Sequence, residues 1–229
     1  MCRCLAHNTF TTSPLLAEPS PYRHDSLVTA SRLPYPLTLT GGGIVLREWR
    51  SDDLDDLVVM LDDPDIARWT PMPSPFDVEA GIAYLKRAYQ GRTTGQRIQL
   101  AITADGGMPL GEVLLFGVDL GLKEAELGYL VGAPHRRRGL AAGALALLSA
   151  YAQSTLKLSR LLLRIDPGNL GSTAVARRCG FRLTGEPPIL QEGPYGPTSL
   201  DTWELIEGRA GRRMERLRNV AARRYGRRT

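Results

Sequence analysis

The stretch from Glu126 to Glu186 restricts the fold more than any other part of the chain. Leu127, Tyr129 and Val131 alternate on one face of a strand. The turn Arg136-Arg137-Arg138-Gly139-Leu140-Ala141 comes next and opens an alanine- and leucine-rich helix. Leu140, Ala144, Leu147, Leu148 and Tyr151 form one stripe of that helix, as packing on a sheet requires. Leu161, Leu163 and Ile165 mark a second strand, ending in Asp166-Pro167-Gly168-Asn169. Asn169 is placed to cap a second helix, which closes on Cys179-Gly180-Phe181 with Gly180 at a left-handed C-terminal position. Helices alternating with strands in this order belong to an α/β architecture. The arginine turn sets free backbone N–H groups and positive side chains at a helix N-terminus, where a phosphate is stabilised.

Elsewhere the signals are shorter. Gly41-Gly42-Gly43 reads as a flexible lead into the strand Ile44-Val45-Leu46. Ser51 is a candidate N-cap for a helix to about Leu61, which the Asp63-Pro64 step ends. Asp77 caps the next helix, where Val78, Ile82, Leu85 and Tyr89 recur at helical spacing. Ile98, Leu100 and Ile102 alternate with polar or small residues, and Ala104-Asp105-Gly106-Gly107 marks a hairpin into an apolar strand from Gly111 to Val118. Leu200 to Ile206 reads as a final strand. The expected fold is α/β, a mixed, largely antiparallel sheet flanked by helices on both faces.

Charge divides the chain unevenly. The whole carries +5, but residues 208–229 hold nine arginines and one acid, a local +8, which leaves 5 − 8 = −3 for the rest. Three regions are therefore expected: a loose leader over residues 1–40, a folded domain over 41–207 and a basic tail over 208–229. The tail is either a solubilising segment or a contact for RNA or the ribosome through phosphates. No run of apolar residues is long enough for a membrane helix, and the first residues lack the apolar core of a secretion signal. Three cysteines do not make a disulfide scaffold, so a reduced cytoplasmic setting is the simplest reading. Cys2, Cys4 and His7 lack the second ligand pair of a zinc site, and no metal is expected.

Arg136, Gly139 and Ala141 meet the pattern Arg/Gln-x-x-Gly-x-Gly/Ala, and Asn169, Ser172 and Cys179-Gly180-Phe181 come after them in order. With these residues the segment resembles the GNAT superfamily of acyl-CoA-dependent N-acetyltransferases, particularly its RimJ/RimL-like branch, and the likeness extends loosely from Gly43 to about Glu207. The resemblance implies acetyl-CoA as co-substrate. The loop of Arg136, Arg137, Arg138, Gly139, Leu140 and Ala141 would then hold the pyrophosphate. The strand around Leu130 and Val131 would pair with the pantetheine arm after a bulge, for which Gly132-Ala133-Pro134 offers a break. Asn169 would touch the arm from the opposite side, with Ser172 one turn along.

The implied reaction is direct acetyl transfer to a primary amine, either a protein N-terminus or a small molecule. An α-amino group with pKa near ~8 needs only a modest base. Glu126 is the candidate base, with Glu124 on the same strand face as its substitute. A backbone N–H near Val131 is the candidate oxyanion donor. Tyr195 is the candidate general acid, and Cys179 has no neighbouring His in sequence to activate it. A homodimer is a family expectation. A second possibility is an acyl-CoA-binding module without transfer activity, using its tail for nucleic acid.

Overall fold

The computed structural model describes residues 33–192 and 196–206. Cys2, Cys4, His7, Tyr195 and the basic tail lie outside the described residues. The fold begins with the hairpin β1 (Thr38–Gly41) and β2 (Ile44–Glu48), then α1 (Leu54–Leu61), α2 (Pro64–Trp69) and α3 (Val78–Thr93). Three strands come next: β3 (Ile98–Thr103), β4 (Gly111–Asp119) and β5 (Glu124–Val131). Then come α4 (Leu140–Ser154), β6 (Arg160–Ile165), α5 (Leu170–Arg178) and the strands β7 (Arg182–Leu183), β8 (Ile189–Gln191) and β9 (Thr198–Ile206). The nine-stranded sheet has the order β1-β2-β3-β4-β5-β6-β9-β7, with β8 also on β9. Every pairing among the described residues is antiparallel except β5 with β6.

One face of the sheet is dry. Leu46, Leu100, Ile102, Val113, Leu115 and Leu127 pack there against Leu145 and Leu148 of α4. The other face carries α1 to α3 through a smaller cluster of Leu57, Ile66, Phe76, Tyr84 and Leu130. Two buried ion pairs brace the structure: Arg47 makes a bidentate pair with Asp53 at 2.7 Å, and Arg92 binds Glu48 at 2.6 Å. Arginine suits such sites because its planar fork meets both carboxylate oxygens.

Several local expectations change. Gly42 and Gly43 take positive φ, 61° and 78°, as the turn of the β1–β2 hairpin, so the glycine run is a structured corner. Ser51 is not the cap: it opens a 3-10 turn over Ser51–Asp53, and Asp53 holds the N-cap position of α1 while its carboxylate accepts back from the Arg50 N–H at 2.8 Å. On α3, Val78, Ile82 and Tyr89 face outward, more than half exposed, whereas Gly81, Tyr84, Ala88 and Arg92 are buried. Gly81 lets α1 approach, since a Cβ there would stand 2.8 Å from Val58. The Asp63-Pro64 step ends α1 and also starts α2, with Asp63 as N-cap and Pro64 in the first turn. Asp77 and Asn169 cap as expected, accepting from Ala80 N–H at 2.9 Å and Ser172 N–H at 3.0 Å.

Candidate active site

The centre of interest is where β5 and β6 part. They pair only through Glu124 with Arg160, Ala125 with Leu161 and Glu126 with Leu162. Beyond Glu126 the strands diverge. Residues 127–131 keep β4 on one side and, among the described residues, have no strand on the other. At ~3.3 Å per residue that open edge is on the order of 16 Å long. The irregularity that accompanies the divergence lies in β4, between Phe116 and Asp119 with Gly117 at φ 60°, not at Gly132. Gly132 instead ends β5, and Ala133–His135 form a single 3-10 turn.

The two lips of this fork are helix N-termini of different character. Gly139 precedes α4 at φ 83°, a conformation glycine adopts without a Cβ penalty. Among the described residues, the backbone N–H groups of residues 137–142 have no protein acceptor, and α4 has neither a side-chain cap nor an acid in its first turn. Free amides and an uncompensated dipole make an anion site. Arg137 and Arg138 are exposed beside it, Arg138 donating to the Pro134 carbonyl at 3.0 Å. Arg136 differs from both. Its Nε donates to the Val131 carbonyl at 3.1 Å, Nη1 to Asp65 at 2.7 Å and Nη2 to Asp63, so the protein already occupies its guanidinium.

On the opposite lip, Asn169 spends its Oδ1 on the α5 cap. Its Nδ2 and the Ser172 hydroxyl have no partner among the described residues. Tyr129 of β5 crosses behind the fork and donates to the Ser172 carbonyl at 2.8 Å, holding the two arms at fixed separation. Cys179 is buried with its thiol on the Ala142 carbonyl at 3.3 Å, and burial pushes its pKa up to about 11. A thiol held protonated is a poor nucleophile.

Glu126 stands at the vertex of the fork, on the face opposite α4. Burial raises its pKa, and Arg164 opposes that rise through a 3.4 Å contact. Arg164 also donates to Thr202 and lies 3.9 Å from Glu186. Arg160 gathers Glu124 at 3.2 Å, Glu204 at 2.9 Å and Glu186. Four carboxylates thus meet two guanidiniums where β5, β6 and β9 are still paired, on the face of the sheet opposite α4. Sequence reasoning missed these arginines, although Arg160 and Arg164 alternate with Leu161, Leu163 and Ile165 on the opposite face of β6. It also missed Glu112, which is fully buried. Glu112 accepts from Tyr84 Oη at 2.6 Å, Trp49 Nε1 at 2.8 Å and Gln99 Nε2 at 2.9 Å, and burial raises its pKa.

Among the described residues no cluster of three or more His, Cys, Asp or Glu could hold a metal, and no helix is long and apolar enough to cross a membrane.

Comparison with known proteins bears on the family and the fold. The chain is 36% identical over 84 residues to the Bacillus subtilis protein named "Probable N-acetyltransferase YjcK", a match spanning 36% of this chain and 46% of that one. The fold is similar to Mycobacterium smegmatis RimJ in complex with CoA-disulfide, at TM-score 0.68 and 22% identity, covering 84% of this chain and 96% of that one. It is also similar to the ribosomal L7/L12 α-N-protein acetyltransferase RimL in complex with coenzyme A, at TM-score 0.67 and 16% identity, covering 74% and 98% of the two chains. Residues 44–182, running from β2 through the fork and both lips into β7, match the model of the acetyltransferase (GNAT) domain, and the chain belongs to that family.

Proposed function

We propose that this chain transfers an acetyl group from acetyl-CoA to a primary amine, by direct attack within a ternary complex. The observation that carries the reading is the row of unused amides over residues 137–142, lying at the open end of a strand edge that has itself lost its partner. Diphosphate oxygens need such donors, and the pantetheine amides need a free strand edge. Gly139, Leu140 and Ala141 supply main-chain donors, and Arg137 and Arg138 supply charge. Leu130 and Val131 offer backbone groups to the arm, which Asn169 Nδ2 and the Ser172 hydroxyl meet from the other lip.

At the vertex the amine nitrogen attacks the thioester carbonyl carbon, and the carbon–sulfur bond breaks. The amine proton passes to Glu126, directly or through one water, and coenzyme A leaves as its thiolate before taking up a proton. Burial lifts the Glu126 carboxylate above the ordinary range, toward the pH at which a base accepts a proton usefully while still charged. A backbone N–H of the unpaired edge beside Glu126, rather than near Val131 about 16 Å farther along it, stabilises the oxyanion. Tyr195 is retained as the candidate acid only from sequence. The excess of carboxylates around Arg160 and Arg164 favours an acceptor that arrives as an ammonium ion, whether a protein N-terminus or a small amine.

Acetyl-CoA is expected to raise the melting temperature of the purified protein, and an amine panel to release coenzyme A thiol. Glu126→Gln should lower kcat/KM by ~10²-fold and remove the acid limb of its pH profile, within the usual range for a general base. Thiol release that this variant leaves untouched sinks the assignment of the base. Mass spectrometry of peptides incubated with labelled acetyl-CoA would name the acceptor. Deleting residues 208–229 and measuring salt-sensitive RNA binding decides the tail, and light scattering decides whether the chain dimerises.

A further inference from the structure

Helix α2 has no part in the chemistry above, yet it is tied to both lips of the fork. At its N-terminal end, Asp63 uses both carboxylate oxygens: Oδ1 caps the helix through Asp65 N–H at 2.8 Å, and Oδ2 accepts from Arg136. Arg136 in turn holds the last carbonyl of β5, that of Val131. At the far end, Trp69 lies over the loop after β6, so that a Cβ on Gly168 would stand 3.6 Å from its Cη2. Arg68 stacks on the same indole, 4.5 Å from its centroid. Beneath, Ile66 is buried in one cluster with Leu130 of the open edge. Six residues at ~1.5 Å each span about 9 Å. The two ends of α2 thereby meet opposite sides of the fork, Asp63 the end of β5 through Arg136 and Trp69 the loop after β6.

We infer that α2 is a clasp across the mouth of the fork, and that Arg136 and Trp69 are the positioning residues that hold it there. The inference rests on the fork being the acetyl-CoA channel. An arm lying between β5 and β6 then passes beneath α2, and filling the channel and fixing the acceptor-side wall become one event. It also explains why Arg136 differs from its two neighbours: among the described residues Arg137 and Arg138 pair with no carboxylate and stay exposed beside the phosphate site, while Arg136 is spent on Asp63 and Asp65. The Asp63 arm matters more than the Asp65 arm, since the Asp65 side chain is 64% exposed against 14% for Asp63. Exposed pairs are screened and weak.

The test is the dissociation rate of coenzyme A from full-length protein, with amide exchange across residues 64–70. Asp63→Asn keeps an oxygen for the cap but removes the charge that Arg136 needs; Trp69→Ala frees the other end. Each is expected to speed coenzyme A release by about tenfold, with little change in association, as interface changes usually act. In wild type, coenzyme A should slow exchange over residues 64–70, and in both variants that protection should shrink. A purely structural role would lower the ligand-free melting temperature and leave the release rate unchanged. Unchanged release in Asp63→Asn, or wild-type exchange over α2 that ignores bound coenzyme A, overturns the clasp. Wild-type protein that binds no coenzyme A at all overturns instead the reading of the fork.

Discussion

The N-termini of α4 and α5 face each other across the fork and are built in opposite ways. α5 is closed by its own side chain: Asn169 accepts the Ser172 amide. α4 is left open, with Gly139 where a capping side chain would sit and, among the described residues, no acceptor for the amides of residues 137–142. A protein bears the cost of unpaired donors only where another molecule supplies the acceptor or water does so meanwhile. The open terminus is therefore the place to expect charge recognition, and the capped one the place to expect a neutral contact from a side chain already held still.

Adding a charge at the open lip tests this contrast most severely. Gly139→Glu puts a carboxylate among the unused amides and forces a side chain into the left-handed region. Acetyl-CoA affinity, measured by calorimetry, should fall at least 100-fold, roughly 2.7 kcal/mol. Gly139→Ala separates the two causes: a Cβ meets nothing within 4 Å, so only the conformation is strained, at about 1–2 kcal/mol. At the capped lip, Asn169→Ala should cost ~1 kcal/mol of stability through the lost cap, read by chemical denaturation. Asn169→Asp should restore the cap yet still weaken coenzyme A binding severalfold, since it removes Nδ2 as a donor. If it binds as wild type does, Asn169 is a cap alone.

The smallest effect concerns the two faces of the sheet. The α4 side holds apolar residues almost throughout, whereas the α1–α3 side buries Glu112 with neutral donors only. Burial raises the Glu112 pKa, so the folded chain holds that proton more tightly than the unfolded one. Its contribution is then most favourable below the ordinary Glu value and declines as pH rises through that value to the raised one. Glu112→Gln has no proton to lose. Its carbonyl can accept from Trp49 and Gln99, while its amide donates to the Tyr84 oxygen. Denaturation midpoints compared between about pH 4 and 8 should show the variant gaining on wild type as pH rises. Parallel curves would mean that Glu112 does not titrate there.

The segment from Leu127 to Phe181 was readable because each of its devices is local. Strand alternation, the glycine at φ 83°, the Asn169 cap and the left-handed Gly180 are each set by a few neighbouring residues. The α3 stripe was legible as a helix and misleading as a buried face. Spacing identifies the period, but which side is covered depends on where α1 docks, and the close approach at Gly81 turns Tyr84 inward and Tyr89 out. The α2 helix was hidden because Asp63-Pro64 stops α1 and starts α2 within two residues, and a stop signal masks the start.

The order of elements, the open glycine turn and the acetyltransferase motif were therefore properties of the linear chain, since short-range backbone preferences specify them. The parting of β5 and β6, the engagement of Arg136 by Asp63, the pairing of Glu126 with Arg164 and the burial of Glu112 were not. Each joins residues tens of positions apart, and which partner a charged group finds is settled only when the sheet register and helix docking bring the two together.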